Sequence, residues 1–142
     1  MSLSIRNQLP GTVTSVTEGS VMAAVKLRLA DGQELTAAVT RDAVKELGIA
    51  MGTQVRALVK STEVALATGP VAGLSIRNQL PGTVTEISLG GAMAGVRVSV
   101  DGTELLAAIT ADAAADLGLT TGSPVVALIK STEVSLDALD AV

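Results

Sequence analysis

Two short stretches of the chain place a cationic side chain beside hydroxyl groups. Ser4 and Arg6 lie in the first stretch, and Lys60 and Ser61 lie in the second. Ser4 and Arg6 are two residues apart, so on a β-strand both would project from the same face. Arginine, lysine and serine side chains can all donate hydrogen bonds, as can backbone N–H groups. Several converging donors suit a small anion with several oxygens, so both stretches are candidate parts of an oxyanion site.

Both stretches occur twice. Residues 3–14 are repeated without change at residues 74–85, and residues 60–64 are repeated at residues 130–134. The second half therefore carries a matching donor set at Ser75, Arg77, Lys130 and Ser131. Because the intervening sequence drifts, the identical blocks indicate what both halves must do alike. Two plainer interpretations stay open: the cations could form ion pairs with Glu63 or Glu133, and the serines could belong to turns and strand ends.

A third repeated feature is the start of a short predicted helix. Thr40 and Thr110 can each act as the N-cap of this helix. Free backbone N–H groups in the first turn, around Ala43 and Ala113, could also hold an anion. Capping alone is the interpretation that these residues favour. The two roles are compatible, because a cap and a ligand would use different donors.

The composition removes several classes of function. The chain has 142 residues and contains no His, Cys, Trp, Tyr or Phe. Without Cys and His, the ordinary zinc, copper, haem and iron–sulfur sites cannot be built. The usual general acids, bases and thiol nucleophiles are also missing, so we expect no enzyme activity. Without aromatic rings, single-stranded nucleic acid has no platform on which its bases could stack.

Charge and hydropathy limit the environment and the partners. The formal net charge is −4 at pH 7, which disfavours binding to polyanions. No run of about 18 apolar residues is present, so we expect no membrane span, and residues 1–20 do not resemble a signal peptide. We therefore expect a cytoplasmic protein that binds neither nucleic acid nor membranes. Hydrophobic residues make up 48% of the chain, and small domains of this kind usually bury apolar surface in a homo-oligomer.

The repeat divides the chain into two copies of one domain. We place the first domain at residues 1–66, a linker containing Gly and Pro at residues 67–73, and the second domain at residues 74–142. The spacing between equivalent residues falls from 71 to 70 along the repeat, so one residue is lost, beside the turn near Ala30. A hairpin tip tolerates such a change best. Residues 137–140 are interpreted as a loose tail.

Alternation of apolar and polar residues predicts that most of each copy is strand. An Asp-Gly pair in each copy predicts a hairpin, and a helix is predicted at residues 41–47 and 111–117. Pro10-Gly11 and Pro81-Gly82 should break or bend the first strand. About five strands, with the helix between the fourth and fifth, predict a mainly all-β fold of two tandem OB-type small barrels, each with one short helix. An SH3-like barrel or a split sandwich are the alternatives.

Three motifs taken together resemble the Mop domain, the molybdate-binding domain of the molbindins. They are Ser-Ile-Arg-Asn-Gln-Leu near the start of each copy, Ala-Ala-Val-Thr or Ala-Ala-Ile-Thr before the helix, and Lys-Ser-Thr-Glu-Val near the end. The resemblance covers nearly the whole chain, and the tandem form is similar to the two-domain cytoplasmic molbindins of molybdenum homeostasis. The domain also occurs in molybdate-responsive regulators and transporter ATPases, but this sequence shows no helix-turn-helix and no nucleotide-binding motif.

The resemblance implies an OB-type barrel, a ring of six Mop domains and therefore a homotrimer of this two-domain chain. It also implies molybdate, with tungstate possible, bound at domain and subunit interfaces, where Thr40 or Thr110 would complete a site begun on a neighbouring domain. The residues that match the family's site are Ser4, Arg6, Thr40, Ala43, Lys60, Ser61, Ser75, Arg77, Thr110, Ala113, Lys130 and Ser131.

The sequence thus predicts a protein without catalytic activity that binds molybdate for intracellular molybdenum storage or homeostasis. Two alternatives stay open. One is an OB-type module for another small oxyanion, such as sulfate. The other is an OB-type adaptor for a protein partner or nucleic acid, and the missing aromatic residues argue against the nucleic acid.

Overall fold

The computed structural model describes residues 3–138. The first copy forms β1 (Asn7–Glu18), β2 (Met22–Leu29), β3 (Glu34–Thr40), α1 (Arg41–Leu47), β4 (Gln54–Val59) and β5 (Ala65–Ala67). The second copy forms β6 (Asn78–Leu89), β7 (Met93–Val100), β8 (Thr103–Thr110), α2 (Ala111–Asp116), β9 (Pro124–Ile129) and β10 (Ser135–Ala138). A 3-10 turn precedes the last strand of each copy, and we name these the first crossover turn (Ser61–Glu63) and the second crossover turn (Ser131–Glu133).

The last strand of each copy belongs to the sheet of the other copy. The strand order is β10-β4-β1-β2-β3 in the first sheet and β5-β9-β6-β7-β8 in the second. β10 lies antiparallel to β4, and β5 lies antiparallel to β9. The chain therefore passes from one sheet to the other at each crossover turn. Division of the sequence at residues 66 and 74 follows the repeat, not the sheets, and stays a prediction.

The alternation in the sequence appears in the structure as an alternation of burial. In β2, Ala23, Val25, Leu27 and Leu29 are buried, while the residues between them are exposed. Each sheet curls until its two outer strands approach one another, which encloses the apolar side chains as in a small barrel. Buried residues of both copies form one continuous core. The predicted all-β class, with two OB-type barrels and a short helix in each, is confirmed.

The first strand is continuous, so of the two predicted outcomes at Pro10, a break or a bend, the break was wrong. Pro10 lies within β1, opposite Arg56 of β4, whereas pairing with β2 begins only at Gly11. Pro10 therefore lacks a ladder partner on the β2 side, and its missing N–H costs no hydrogen bond there. The strand is irregular further on, between Val13 and Ser15, where the register shifts. Because β1 is one strand, the helix lies between the third and fourth strands of each copy, not between the fourth and fifth as predicted.

The predicted helix caps are present in both copies. The hydroxyl oxygens of Thr40 and Thr110 each accept a hydrogen bond, at 3.1 Å, from the backbone N–H three residues later. Gly48 ends α1 in the left-handed conformation, with a φ of 65°. The second helix is one residue shorter than predicted and has Leu117 as its C-terminal cap. Within the described residues, no helix is long and apolar enough to span a membrane.

The two hairpin turns differ by the residue that the repeat loses. In the second copy, Asp101 and Gly102 have φ values of 53° and 74°, as a two-residue turn with two left-handed positions requires. In the first copy, positive φ in the turn occurs only at Gly32, and the Leu29 N–H donates to Gln33 across a longer loop. The predicted position of the lost residue, beside the turn, is confirmed.

Part of the predicted C-terminal tail is ordered. Asp137 lies in β10, and its carboxylate pairs with Arg56 of the neighbouring strand β4. The interpretation of Asp137 as part of a loose tail was therefore wrong. Ala138, the next residue of that predicted tail, is also in β10. Residues 139 and 140 lie outside the described range.

Candidate oxyanion site

Strand register brings the first donor set to one end of the first sheet. The last pair between β1 and β4 is Asn7 with Val59. Arg6 directly precedes β1 and Lys60 directly follows β4, so both cations lie just outside the paired residues, at the same end of the sheet. Ser4 and Arg6 lie outside β1, so the expectation that they share one face of a strand does not apply. A serine stands close to each cation in the sequence. The first donor set, comprising Ser4, Arg6, Lys60 and Ser61, is therefore gathered where β1 begins and β4 ends.

The second donor set has the same arrangement at the end of the second sheet. The last pair between β6 and β9 is Asn78 with Ile129. The flanking residues repeat those of the first set, because the identical blocks occupy identical places in the two sheets. The second donor set comprises Ser75, Arg77, Lys130 and Ser131.

The cations of both donor sets are exposed and form no ion pair among residues 3–138. Every ion pair within that range uses another arginine, namely Arg41, Arg56 or Arg97. The alternative in which Glu63 or Glu133 neutralises these cations is therefore wrong. Like charges at one end of a sheet repel one another, and an anion bound between them would offset that repulsion. The four exposed cations are Arg6, Lys60, Arg77 and Lys130.

Each donor set includes the start of a crossover turn. Ser61 begins the first crossover turn, which packs against β8, and Ser131 begins the second crossover turn, which packs against β3. The first N–H groups of such a turn have no acceptor within the turn itself. Backbone donors are thus available next to Lys60 and Lys130, and both donor sets lie at the seam between the two sheets.

A buried asparagine follows the arginine of each donor set and bonds to the other copy. Asn7 donates from Nδ2 to the Leu106 carbonyl at 2.9 Å, and its Oδ1 accepts from the Leu106 N–H at 2.8 Å. Asn78 makes the same two bonds with Thr36, both at 2.8 Å. Sequence reasoning missed both residues. Their place inside the identical blocks was a signal, but nothing in the sequence shows which strand a carboxamide will meet.

A cavity of about 280 Å³ lies beside the second donor set. Lys130 and Ile76 line it from the second copy, and residues 62–65 line it from the first. Leu128 of β9 and two residues of β8, Ala108 and Ile109, complete the wall. Thr110 directly follows Ile109 in the sequence. The structure therefore brings parts of both copies, and the approach to one predicted helix start, to the same place at the seam.

The helix starts serve as caps within this chain. The N–H groups of Ala43 and Ala113 donate to the threonine hydroxyls of their own helices. The structure thus agrees with the capping interpretation of Thr40 and Thr110. An anion bound near either helix start would meet other N–H groups of the first turn, and anion binding by these four residues stays a prediction.

Comparisons with known proteins agree with this architecture. The TOBE domain family matches residues 3–66 and again residues 74–136. The molybdenum-pterin-binding protein MopA of Rhodobacter capsulatus is 39% identical over 138 residues, which cover 96% of this chain and 52% of that protein. The molybdenum transport protein ModE of Azotobacter vinelandii is 38% identical over 137 residues, covering 96% and 51%. The chain spans about half the length of these relatives.

One further relative matches a single copy of the repeated domain, and one solved structure matches both copies. Molybdenum-pterin-binding protein 2 of Clostridium pasteurianum is 44% identical over 66 residues, which cover 46% of this chain and 97% of that protein. The crystal structure of the cytoplasmic molybdate-binding protein ModG, with molybdate bound, matches with a TM-score of 0.93 and 39% identity over 97% of this chain and 99% of that one. The chain therefore belongs to the TOBE domain family and carries two of its domains in tandem.

Proposed function

We propose that this protein binds molybdate, and also tungstate, as a cytoplasmic store of the oxyanion, without catalysis. One observation carries the proposal. In each copy, two exposed cations that have no ion-pair partner among residues 3–138 flank the same end of a strand pair, each within two residues of a serine. The names of the relatives and the molybdate in the ModG structure support molybdate as the anion.

The donor sets have the chemistry that this anion requires. Molybdate carries two negative charges and four oxygens, and at neutral pH those oxygens can only accept hydrogen bonds. Arg6 and Lys60 supply charge and N–H donors, and Ser4 and Ser61 supply hydroxyls. The first N–H groups of the crossover turn add backbone donors without further charge. The second donor set repeats this chemistry.

We further propose that the chain assembles into a homotrimer, in which a helix start of one domain completes a site on its neighbour. Exposed apolar side chains support association, because Val21, Met51 and Leu89 are 68%, 77% and 72% exposed in the single chain. In such an assembly Thr40 and Thr110, with Ala43 and Ala113, would meet donor sets of other domains. Anion binding at these seams would stabilise the trimer by mass action.

The double variant Lys60→Ala, Lys130→Ala tests the function. Each charge-assisted hydrogen bond lost costs about 1.5–3 kcal/mol, so molybdate affinity should fall roughly tenfold to a hundredfold at both kinds of site. Lys26→Ala is the matched control, because Lys26 is an exposed lysine of β2 outside the donor sets. Isothermal titration with molybdate, tungstate and sulfate measures the affinities, and native mass spectrometry counts molybdenum per trimer. Undiminished binding by the double variant would overturn the assignment, and a preference for sulfate would change the anion.

A further inference from the structure

We propose that Asn78 is a positioning residue of the second donor set, which orients the Ser131 hydroxyl to donate to the bound anion, whereas Asn7 serves only to join the copies. This inference rests on the proposed function and adds a difference between two sites whose ligand residues are identical. It concerns a side chain that touches a donor and not the anion itself.

Both asparagines hold the two copies together through side-chain hydrogen bonds, and each of these contacts is called a latch below. Asn7 is 1% exposed and Asn78 is 3% exposed. Each carboxamide pairs with the backbone N–H and C=O of one residue on an edge strand, as a neighbouring strand would. The partner of Asn78, Thr36, lies on β3, against which the second crossover turn packs. The latch therefore fixes the start of β6 and that crossover turn against the same strand.

The Thr36 backbone determines which end of the Asn78 carboxamide carries the hydrogens. The Thr36 N–H must meet the oxygen Oδ1, and the Thr36 carbonyl must meet the nitrogen Nδ2. One of the two Nδ2 hydrogens is used by that carbonyl. The other points toward the Ser131 hydroxyl oxygen, which lies 3.4 Å from Nδ2. Ser131 is therefore an acceptor in this contact.

This contact sets the direction of the serine proton. A hydroxyl has one hydrogen and two lone pairs, and the hydrogen rotates to suit its surroundings. When Asn78 donates to one lone pair, the O–H of Ser131 must point away from Asn78. The hydroxyl is then prepared to donate. Among the described residues, Asn7 makes no matching bond to Ser61, so the first donor set lacks this orientation.

The orientation favours a class of anion. Molybdate, tungstate and sulfate are fully deprotonated at neutral pH and only accept hydrogen bonds. Hydrogen phosphate carries one proton and must donate it to some acceptor. Ser131 has one lone pair already engaged by Asn78, so it is a poorer acceptor than a free hydroxyl. The second donor set should therefore discriminate more strongly against hydrogen phosphate than the first.

The test compares Asn78→Asp with Asn7→Asp in the full chain. Each change keeps an acceptor for the backbone N–H, loses the donor to the backbone carbonyl and adds one negative charge beside a cation. Only Asn78→Asp also reverses the direction of the Ser131 O–H bond, because the hydroxyl would then donate to the new carboxylate. We expect similar losses of thermal stability, but about tenfold weaker molybdate binding at half of the sites in Asn78→Asp relative to Asn7→Asp, measured by isothermal titration.

A second comparison, between the two serines, leaves Asn7 and Asn78 unchanged. Ser131→Ala should weaken molybdate binding several-fold more than Ser61→Ala, and it should also reduce discrimination against phosphate in competition. Combining Asn78→Asp with Ser131→Ala should weaken binding by less than the product of the two separate effects, since both remove the same oriented hydroxyl. Equal losses for the two serines, or fully multiplicative effects, would overturn the inference while leaving molybdate binding intact.

Failure of the unaltered protein to bind molybdate would overturn the proposed function as well.

Discussion

The two copies keep the same donor sets while their other charges diverge. Residues 3–66 contain seven basic and six acidic residues, a net charge of +1, whereas residues 74–136 contain three and six, a net charge of −3. The cations that the second copy lacks lie on strand faces or on the helix surface, at Arg28, Arg41, Lys45 and Arg56. Four surface cations therefore differ between the copies, while the two cations of each donor set and the strand cation at Lys26 and Arg97 are present in both. The lost cations include Arg41 and Arg56, which form ion pairs in the first copy, so the second copy does without those pairs while it keeps both cations of its donor set.

The same comparison shows one residue type in two structural roles. Gln79 holds the linker, with its carboxamide bonded to the backbone N–H and C=O of Val71 at 3.1 and 2.8 Å. Gln8, its equivalent, instead accepts from Arg56, which also pairs with Asp137 of β10. Identity in the sequence thus fixes a local conformation, whereas the partner depends on what the rest of the chain places nearby.

The largest effects should be equal in the two copies. Leu9 and Leu80 are equivalent core residues, each 1% exposed. Leu9→Ala and Leu80→Ala should each lower the free energy of unfolding by about 2–5 kcal/mol, because each leaves a cavity in the core. Since the core is continuous, urea unfolding followed by circular dichroism should show one transition in both variants. Two separated transitions would mean that the copies unfold independently.

A smaller effect should distinguish the copies. A Cβ atom on Gly82 would lie 2.5 Å from the Ser99 carbonyl oxygen and 2.8 Å from two valine methyl groups, whereas the closest atom to a Cβ on Gly11 lies at 3.1 Å. Gly82→Ala should therefore cost about 1–3 kcal/mol by overpacking, and Gly11→Ala should cost less. Thermal melting of the two variants measures this difference. A larger loss for Gly11→Ala would contradict the local geometry.

The helix caps should again be equivalent. Thr40→Ala and Thr110→Ala each remove one capping bond of the same length, 3.1 Å. Each should lower stability by about 1 kcal/mol, as measured by urea unfolding without molybdate. Thr40→Ser and Thr110→Ser, which keep the hydroxyl, are the controls. Unequal losses would show that one helix start has a further role within the chain.

The smallest change in stability should come from replacing Arg56 of the first copy by valine, its counterpart in the second copy. Val126 occupies the position in the second copy that Arg56 occupies in the first. Arg56→Val removes the pair with Asp137, in which both side chains are 41% exposed. Such exposed pairs contribute about 0–1 kcal/mol, so the unfolding midpoint should change little, and less still at high salt. A loss comparable to that of Leu9→Ala would mean that this pair holds β10 in place.

Local chemistry predicted most of the elements and selected the candidate donor residues. The alternation of Val25, Leu27 and Leu29 predicted a half-buried strand, and Thr40 predicted the start of a helix, because both signals act between near neighbours. The exchange of β5 and β10 could not be predicted in this way. A short apolar segment such as 65–67 carries a strand signal, but it does not encode which sheet provides its partner.

The candidate site shows the same limit. Arg6 and Lys60 could be grouped from their residue types and their repetition, and the structure places them at the same end of the β1–β4 pair. Asn7 and Asn78 appeared as ordinary polar positions of a strand, since their partners lie 99 and 42 residues away in the sequence. Contacts between the copies depend on the packing of whole sheets. Pattern reasoning therefore selected the candidate donors and missed the two asparagines that bond one copy to the other.

The exchanged last strand has a mechanical consequence. β1 and β10 both run antiparallel to β4 and lie on either side of it, so they run parallel to each other. Tension applied to the two ends of the chain would draw β1 and β10 in opposite directions along the axis of β4. That force would load the hydrogen bonds of both ladders at the same moment instead of opening them one after another. Strand β10, which pairs with β4 of the first copy, therefore makes the chain resist tension in shear.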